Sequence, residues 1–121
     1  MFLSIAQQRR STRSFENKEV EADKIDVLLE AALRAPSSRG FNPWRFIVVT
    51  DPGLLERLSR ARPQGSSFLK NAPLGIVVCA DPGKSDVWIE DCSIASIFML
   101  MAAESIGLAA YRTTHSPGRT E

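Results

Sequence analysis

The sequence predicts one α/β (α+β) domain in which a layered sheet is flanked by helices. Helix-like and strand-like segments alternate from the N-terminus, with no internal repeat or heptad pattern. The 121 residues are 44% hydrophobic and 24% charged. This composition is typical of a globular domain that buries roughly two-thirds of its unfolded surface. The net charge of +1 argues against a dedicated nucleic-acid binder, which is usually strongly basic.

Two helices are predicted before residue 35. An apolar cluster at residues 2–6 indicates one or two helical turns. A longer helix follows, with Asp23 in its first turn and Arg34 near its C-terminal end, which both favour the helix dipole. Its apolar residues recur at helical spacing and predict one core-facing stripe: Ile25, Leu28, Leu29, Ala32 and Leu33.

The segment 35–50, APSSRGFNPWRFIVVT, joins this helix to a strand. Pro36 ends the helix, because the residue before a proline is pushed out of the right-handed helical region. Residues 37–42 form a polar loop with hydroxyl, amide and guanidinium donors, although the same residue types are ordinary in turns. Phe46–Val49 then predicts a strand that is covered on both faces.

The second half of the chain repeats this pattern. Asp51 as N-cap and Pro52 as first residue predict a short helix with leucines facing inward. A brief helical turn at residues 68–71 and a buried strand at 74–80 follow, and residues 86–106 predict one long helix. The helical leucines are Leu54, Leu55 and Leu58.

The long helix is apolar almost all round from Ile94 to Ala103. Such a helix is buried on more than one side, and in so small a chain we expect another subunit to provide the second cover. Gly107 is the expected C′ residue, and residues 108–111 predict the start of a third strand. At this length the apolar segment falls short of a membrane span.

Several kinds of site are not supported by the sequence. It contains neither a GxGxxG nor a GxxxxGK[ST] motif, and its one histidine, His115, lies in an irregular tail, so we predict no metal site. Cys79 and Cys92 lack metal-ligand spacing and predict buried free thiols in a reducing compartment, which indicates a cytoplasmic protein. Glu90 and Asp91 diverge around a helix; for Asp91 a capping or salt-bridge role and a site role both stay open.

The run Arg9-Arg10-Ser11-Thr12-Arg13-Ser14-Phe15 brings three arginines and three hydroxyls together. Arginine offers a planar fork of donors to phosphate oxygens, and hydroxyls complete such a cradle. The run therefore predicts an oxyanion site. A solvated basic run, or a patch for nucleic acid or another acidic partner, is the alternative interpretation of these residues.

The two segments in this order, RRSTRSF and then APSS followed by NPWRF, resemble the nitroreductase family of FMN-dependent oxidoreductases. GSSFLKNAPLGIVV, SDVWIEDCSIAS and AAESIGLAAY extend the resemblance along nearly the whole chain. It implies a nitroreductase-like layered sheet flanked by helices and a homodimer with FMN at the subunit interface. It also implies a ping-pong cycle in which NAD(P)H reduces the flavin and a nitroaromatic, quinone or similar acceptor then takes the electrons. A flavin would supply the reactivity, so no catalytic side chain is expected.

The cofactor-binding residues that the resemblance implies fall into two groups. The first binds the FMN phosphate and ribityl chain: Arg9, Arg10, Ser11 and Arg13. The second meets the isoalloxazine of the FMN held mainly by the other subunit: Pro36, Ser37 and Ser38, with Asn42 close to the flavin and ribityl region.

The chain departs from the family pattern in two places. Gly40 stands where the family loop often has asparagine, and no segment corresponds to the family's later strands, basic residues and partner-wrapping arm. We therefore expect a fold that is incomplete at the C-terminus, with a nitroreductase-like domain at 1–111 and an irregular, truncated tail at 112–121. Two alternatives remain: a flavin-binding or dimerising fragment without turnover, and an anion- or nucleic-acid-binding module that uses residues 9–13 and 57–62.

Overall fold

A computed structural model describes residues 2–10, 15, 18–37, 40, 42–60 and 67–110. The predicted alternation of helices and strands is confirmed there. The elements are helix α1 (Phe2–Gln8), helix α2 (Ala22–Leu33), strand β1 (Trp44–Val49), helix α3 (Pro52–Leu58), a 3₁₀ helix (Ser67–Asn71), strand β2 (Gly75–Ala80) and helix α4 (Trp88–Ser105).

The two strands pair antiparallel in full register. Trp44 lies opposite Ala80, and Val49 lies opposite Gly75. The paired segments, WRFIVV and GIVVCA, are rich in β-branched residues, which suit a pleated, half-buried surface. Both predicted strands are therefore confirmed.

The prediction that β1 is covered on both faces is wrong. Val49 is buried, but Ile47 is 52% exposed and Val48 is 38% exposed. In the described part of the chain the sheet has only two strands, and β2 and α4 are the main neighbours of β1. An apolar run identifies a strand, but it does not provide the element that would cover it.

Helix α2 follows the predicted pattern with one exception. Asp23 lies in its first turn, and Leu28 and Ala32 are buried where the helix packs against α4. Leu33 is 62% exposed, so its predicted place in the core is wrong. It follows Ala32 by one residue, which turns its side chain about 100° away from the buried stripe.

Helix α3 begins as predicted. Asp51 is the N-cap, its carboxylate accepts a hydrogen bond from the Leu54 N–H at 3.1 Å, and Pro52 occupies the first turn. Leu55 is 1% exposed, whereas Leu54 is 46% exposed, so Leu54 does not face the core as predicted. Leu55 packs directly against the backbone of Gly75 at the start of β2.

Helix α4 is the central element of the fold. It contacts α1, α2 and both strands, and Ala95 and Ala103 are buried on it. Even so, Ile94, Ile97 and Phe98 are each about 40% exposed. The predicted helix is confirmed, and part of its apolar surface is left open. None of the helices in the described ranges has the length and apolarity that a bilayer crossing requires.

Candidate functional site

A cleft of about 270 Å³ opens between the C-terminal ends of α1 and α4. Arg9 and Arg10 enter it from α1, and Leu100 and Glu104 enter from α4; Gln8 and residues 107–110 complete the lining. The Arg9 N–H donates to the Ile5 carbonyl at 2.9 Å. The helical bonding of α1 thus continues to Arg9 and fixes where the arginine run begins.

The chain reverses sharply after α4, and this reversal forms one wall of the cleft. Gly107 has φ +80°, a left-handed conformation that costs a glycine little. Its N–H donates to the Glu104 carbonyl at 3.2 Å, and the Leu108 N–H donates to the Ala103 carbonyl at 2.8 Å. These two bonds constitute a Schellman motif, so the prediction of Gly107 as C′ is confirmed. Of the predicted third strand, the described residues include a single β-bridge at Ala110.

The arginines of the cleft lack a partner within the described ranges. The ion pairs found there join Glu21 to Lys24, Glu30 to Arg34 and Glu56 to Arg60, all between neighbouring turns or caps of a helix. Arg9 is half-buried and Arg10 is exposed. Two guanidinium groups with unused donors in one cleft provide what an oxyanion needs.

The loop between α2 and β1 is held by a second polar cluster. The Ser37 hydroxyl donates to the Asn42 Oδ1 at 2.9 Å and accepts from the Asn42 backbone N–H at 3.0 Å. Between them, the Gly40 N–H donates to the Ser37 carbonyl at 3.1 Å. Gly40 and Asn42 have φ +68° and +47°, and both residue types tolerate this left-handed region. The Asn42 amide oxygen is paired in this way, and its NH₂ group makes no bond to any other residue of the described ranges.

The lining of the cleft includes some of the predicted residues and not others. Arg9 and Arg10 line the cleft, whereas Ser37 and Asn42 hold the α2–β1 loop next to the exposed Pro36. Ser11, Arg13 and Ser38, together with the tail at 112–121, lie outside the described residues, so their predicted roles stay predictions.

Sequence reasoning missed the α4 side of the cleft. Leu100 lay within the predicted long helix, and Glu104 attracted no functional interpretation. The local signal was weak, because only the packing of α1 against α4 brings these residues opposite Arg9 and Arg10. The predicted C′ glycine was the one feature that marked where the wall of the cleft begins.

Asp91 has a structural role at the start of α4. It is 2% exposed, its Oδ2 accepts from the Ser85 hydroxyl at 3.3 Å, and its carbonyl accepts from the Trp44 Nε1–H at 3.0 Å. The Ser85 hydroxyl also accepts from the Val87 N–H at 3.2 Å. These bonds join the loop before α4, the helix and β1. This position supports a structural interpretation of Asp91 over a site role.

The two cysteines are free and half-buried. The Cys92 Sγ lies 3.9 Å from the Cys79 carbonyl oxygen. Burial raises the pKa of the Cys92 thiol, and the charges of Asp91 and Cys79 raise it further. The side chains described include no cluster of three or more histidine, cysteine or carboxylate residues that could hold a metal ion.

Together these features define a class: a mixed helix–sheet domain with an arginine-lined cleft and a serine–asparagine loop outside its lining. The profile described as "Nitroreductase family" matches residues 6–65. A protein of Methanothermobacter thermautotrophicus with the provisional name NADH dehydrogenase/NAD(P)H nitroreductase is 40% identical over 114 residues. The match covers 92% of this chain and 59% of that protein.

Two solved structures agree with this match. A crystal structure from Bacteroides thetaiotaomicron with the same provisional name has a TM-score of 0.90 and 40% identity, over 96% of this chain and 68% of its own. An FMN-dependent nitroreductase from Clostridium difficile has a TM-score of 0.87 and 49% identity, over 88% and 62%. The chain therefore belongs to the nitroreductase family, and it spans 59% of the length of the curated relative above.

Proposed function

We propose that the chain is the FMN-binding domain, residues 1–111, of an oxidoreductase that passes electrons from NAD(P)H to nitroaromatic, quinone or similar acceptors. Membership of the nitroreductase family and the FMN-dependent relative support this proposal. The observation that carries it is that Arg9 and Arg10 line one cleft and form no ion pair within the described ranges. A bound flavin would supply a two-electron carrier, which the side chains of this protein do not provide.

The proposed division of work follows the two groups of residues. Arg9 and Arg10, with Ser11 and Arg13, bind the phosphate and ribityl chain. The donors of the two described arginines suit a phosphate, and a half-buried cleft weakens competition from water. In a ping-pong cycle the nicotinamide would leave before the acceptor enters. Arginine stays protonated, so Arg9 and Arg10 would hold the cofactor and not move protons.

The α2–β1 loop is the proposed contact with the ring system. Pro36, Ser37 and Ser38 would lie against the isoalloxazine, and Asn42 would donate to it. The NH₂ group of Asn42, which has no partner among the described residues, fits this role, because the ring offers carbonyl and ring-nitrogen acceptors. The two bonds between Ser37 and Asn42 would preorganise the loop for a ligand.

We propose a homodimer with the cofactor at the interface. The open apolar surface of α4, which includes Ile94, Ile97 and Phe98, supports a second copy as its cover. The arginine cleft and the loop lie apart on one protomer, and a partner's loop could complete the cleft. The free thiols support a cytoplasmic location.

The first test is cofactor retention, measured as the visible flavin spectrum of purified protein after FMN is added and the sample is desalted. Wild-type protein should retain FMN and bind it more tightly than riboflavin, which lacks the phosphate. Arg9→Gln or Arg10→Gln should each weaken FMN binding about 10- to 150-fold, because a hydrogen bond to a charged group contributes about 1.5–3 kcal/mol. Riboflavin binding should change little.

Arg34→Gln is the matched control, because Arg34 is exposed and pairs with Glu30 away from the cleft. It should bind FMN like the wild type. Equal losses for FMN and riboflavin in the cleft variants would contradict a phosphate role for these arginines. A wild-type protein that takes up no FMN at all would remove the proposal.

Flavin binding or dimerisation without turnover is the second candidate. The open apolar surface of α4, which includes Ile94, Ile97 and Phe98, supports the dimerising form of this candidate. NAD(P)H oxidation by FMN-loaded protein, with and without a quinone acceptor, separates the two candidates. Steady turnover that scales with protein concentration would exclude the second, and retained flavin with no turnover would exclude the first.

A further inference from the structure

Glu104 places a carboxylate in the same cleft as Arg9 and Arg10. It is half-buried on the last turn of α4, and it takes part in none of the ion pairs within the described ranges. The cleft is thus lined by two basic residues and one acidic residue, and none of the three forms an ion pair within the described ranges. An anion-binding cleft would bind more strongly without the carboxylate.

The electrostatics give this carboxylate a specific effect. Two guanidinium groups in one cleft repel each other, and a nearby carboxylate offsets this repulsion while the cleft holds no anion. When an anion binds, the same carboxylate repels it, and the negative end of the α4 dipole adds to the repulsion. Glu104 therefore favours the anion-free protein over the anion-bound protein.

We propose that Glu104 is the internal counter-ion of the cleft and sets its affinity for phosphate groups. This inference rests on the proposed function of Arg9 and Arg10 as anion-binding residues. Glu104 is a positioning residue: it acts on the ligand through the arginines and through the charge of the cleft. Its removal should therefore raise the affinity for phosphate, which is the opposite of what the loss of an ordinary binding residue would do.

The test measures how inorganic phosphate raises the thermal unfolding midpoint, with ionic strength held constant by NaCl. A ligand that binds only the folded state raises this midpoint, and at one concentration the tighter ligand raises it more. Glu104→Gln should bind phosphate about three- to tenfold more tightly than the wild type at low salt, since charges several ångström apart near a surface still interact. The gain should shrink at about 0.5 M NaCl, where screening is strong.

Two controls make the result specific. Glu90→Gln removes the same charge from an exposed position on α4 outside the cleft, and it should match the wild type. In an Arg9→Gln/Arg10→Gln background, adding Glu104→Gln should restore no measurable phosphate binding, because the arginines supply the attraction that binds the anion. Glu104→Ala, measured in parallel, should reproduce the gain in affinity without the amide.

The outcomes separate this inference from the proposed function. The inference is overturned if neutralising Glu104 leaves phosphate binding unchanged or weakens it, if the gain persists without the arginines, or if phosphate has no effect on any variant. A Glu104-dependent response in a protein that retains no FMN would support the counter-ion and count against the flavin. Retained FMN together with unchanged phosphate binding in Glu104→Gln would support the flavin proposal and count against the counter-ion.

Discussion

Gly75→Ala is predicted to destabilise the fold through one identifiable contact. A Cβ at this position would lie 2.9 Å from the Leu55 Cδ2 and 3.9 Å from the Leu69 Cδ2. Carbon atoms prefer about 3.5–4.0 Å, and Leu55, at 1% exposure, has no open solvent into which it can move. Overpacking of this kind costs about 1–3 kcal/mol, and the reduced freedom of the unfolded chain returns about 0.4–1 kcal/mol. We expect a net loss of about 1–2 kcal/mol.

Gly53→Ala is the matched control, and we expect the opposite sign. Gly53 is an exposed residue in the first turn of α3, and its Cβ would meet only the Asp51 Oδ2, at 3.4 Å. Replacing a helical glycine by alanine stabilises by about 0.5–1 kcal/mol. Urea unfolding at equilibrium, extrapolated linearly to water, measures both values on one scale.

A double-mutant cycle tests whether the contact with Leu55 is the cause. Leu55→Val shortens the side chain by one carbon and removes the Cδ2; alone it should cost about 1 kcal/mol. In combination, Gly75→Ala should cost about 1 kcal/mol less than it does alone, because its clash is gone. Full additivity, or a Gly75→Ala variant as stable as the wild type, would refute the reasoning.

Three further predictions concern pH, capping and backbone strain. Burial raises the Cys92 pKa, so as the pH rises an unfolded chain loses the thiol proton before a folded chain does. The free energy of unfolding, measured in urea, should therefore fall as the pH rises above about 8.5. Cys92→Ala should make this decrease smaller. Asp51→Ala removes the N-cap bond of α3 and should cost about 0.5–2 kcal/mol in the same assay; an unchanged midpoint would contradict the bond. Asn42, at φ +47°, should tolerate Gly, whereas Asn42→Ala should cost about 1–2 kcal/mol more than Asn42→Gly by thermal unfolding.

The features that could be predicted from the sequence depend on neighbours within a few residues. Asp51 caps α3 through a bond to Leu54, three positions away. The turn at Gly107 ends α4 through bonds that span three positions, Gly107 to Glu104, and five positions, Leu108 to Ala103. Helix boundaries follow from the same local rules, so the predicted 86–106 and the observed Trp88–Ser105 agree closely. Such interactions can be predicted because both partners lie within a few residues of each other in the sequence.

The burial predictions failed where a distant element decides the outcome. Ile47 and Leu33 are apolar at the right spacing, yet both are mostly exposed, because periodicity states which side of an element is apolar and not whether anything packs there. The cleft likewise depends on contacts between elements that are distant in the sequence. Glu104 is separated by more than ninety positions from Arg9, and only the contact between α4 and α1 makes them neighbours.

The separation of the two polar sites has a consequence for assembly. The cleft of Arg9 and Arg10 does not include the loop of Ser37 and Asn42. The described part of a single chain therefore does not join the two halves of the proposed flavin site. Exposed apolar residues such as Phe98 lie on α4, the helix that also forms one wall of the cleft. We therefore expect dimerisation and cofactor binding to be linked: a partner that covers α4 would also bring its loop to the cleft, and each event would stabilise the other.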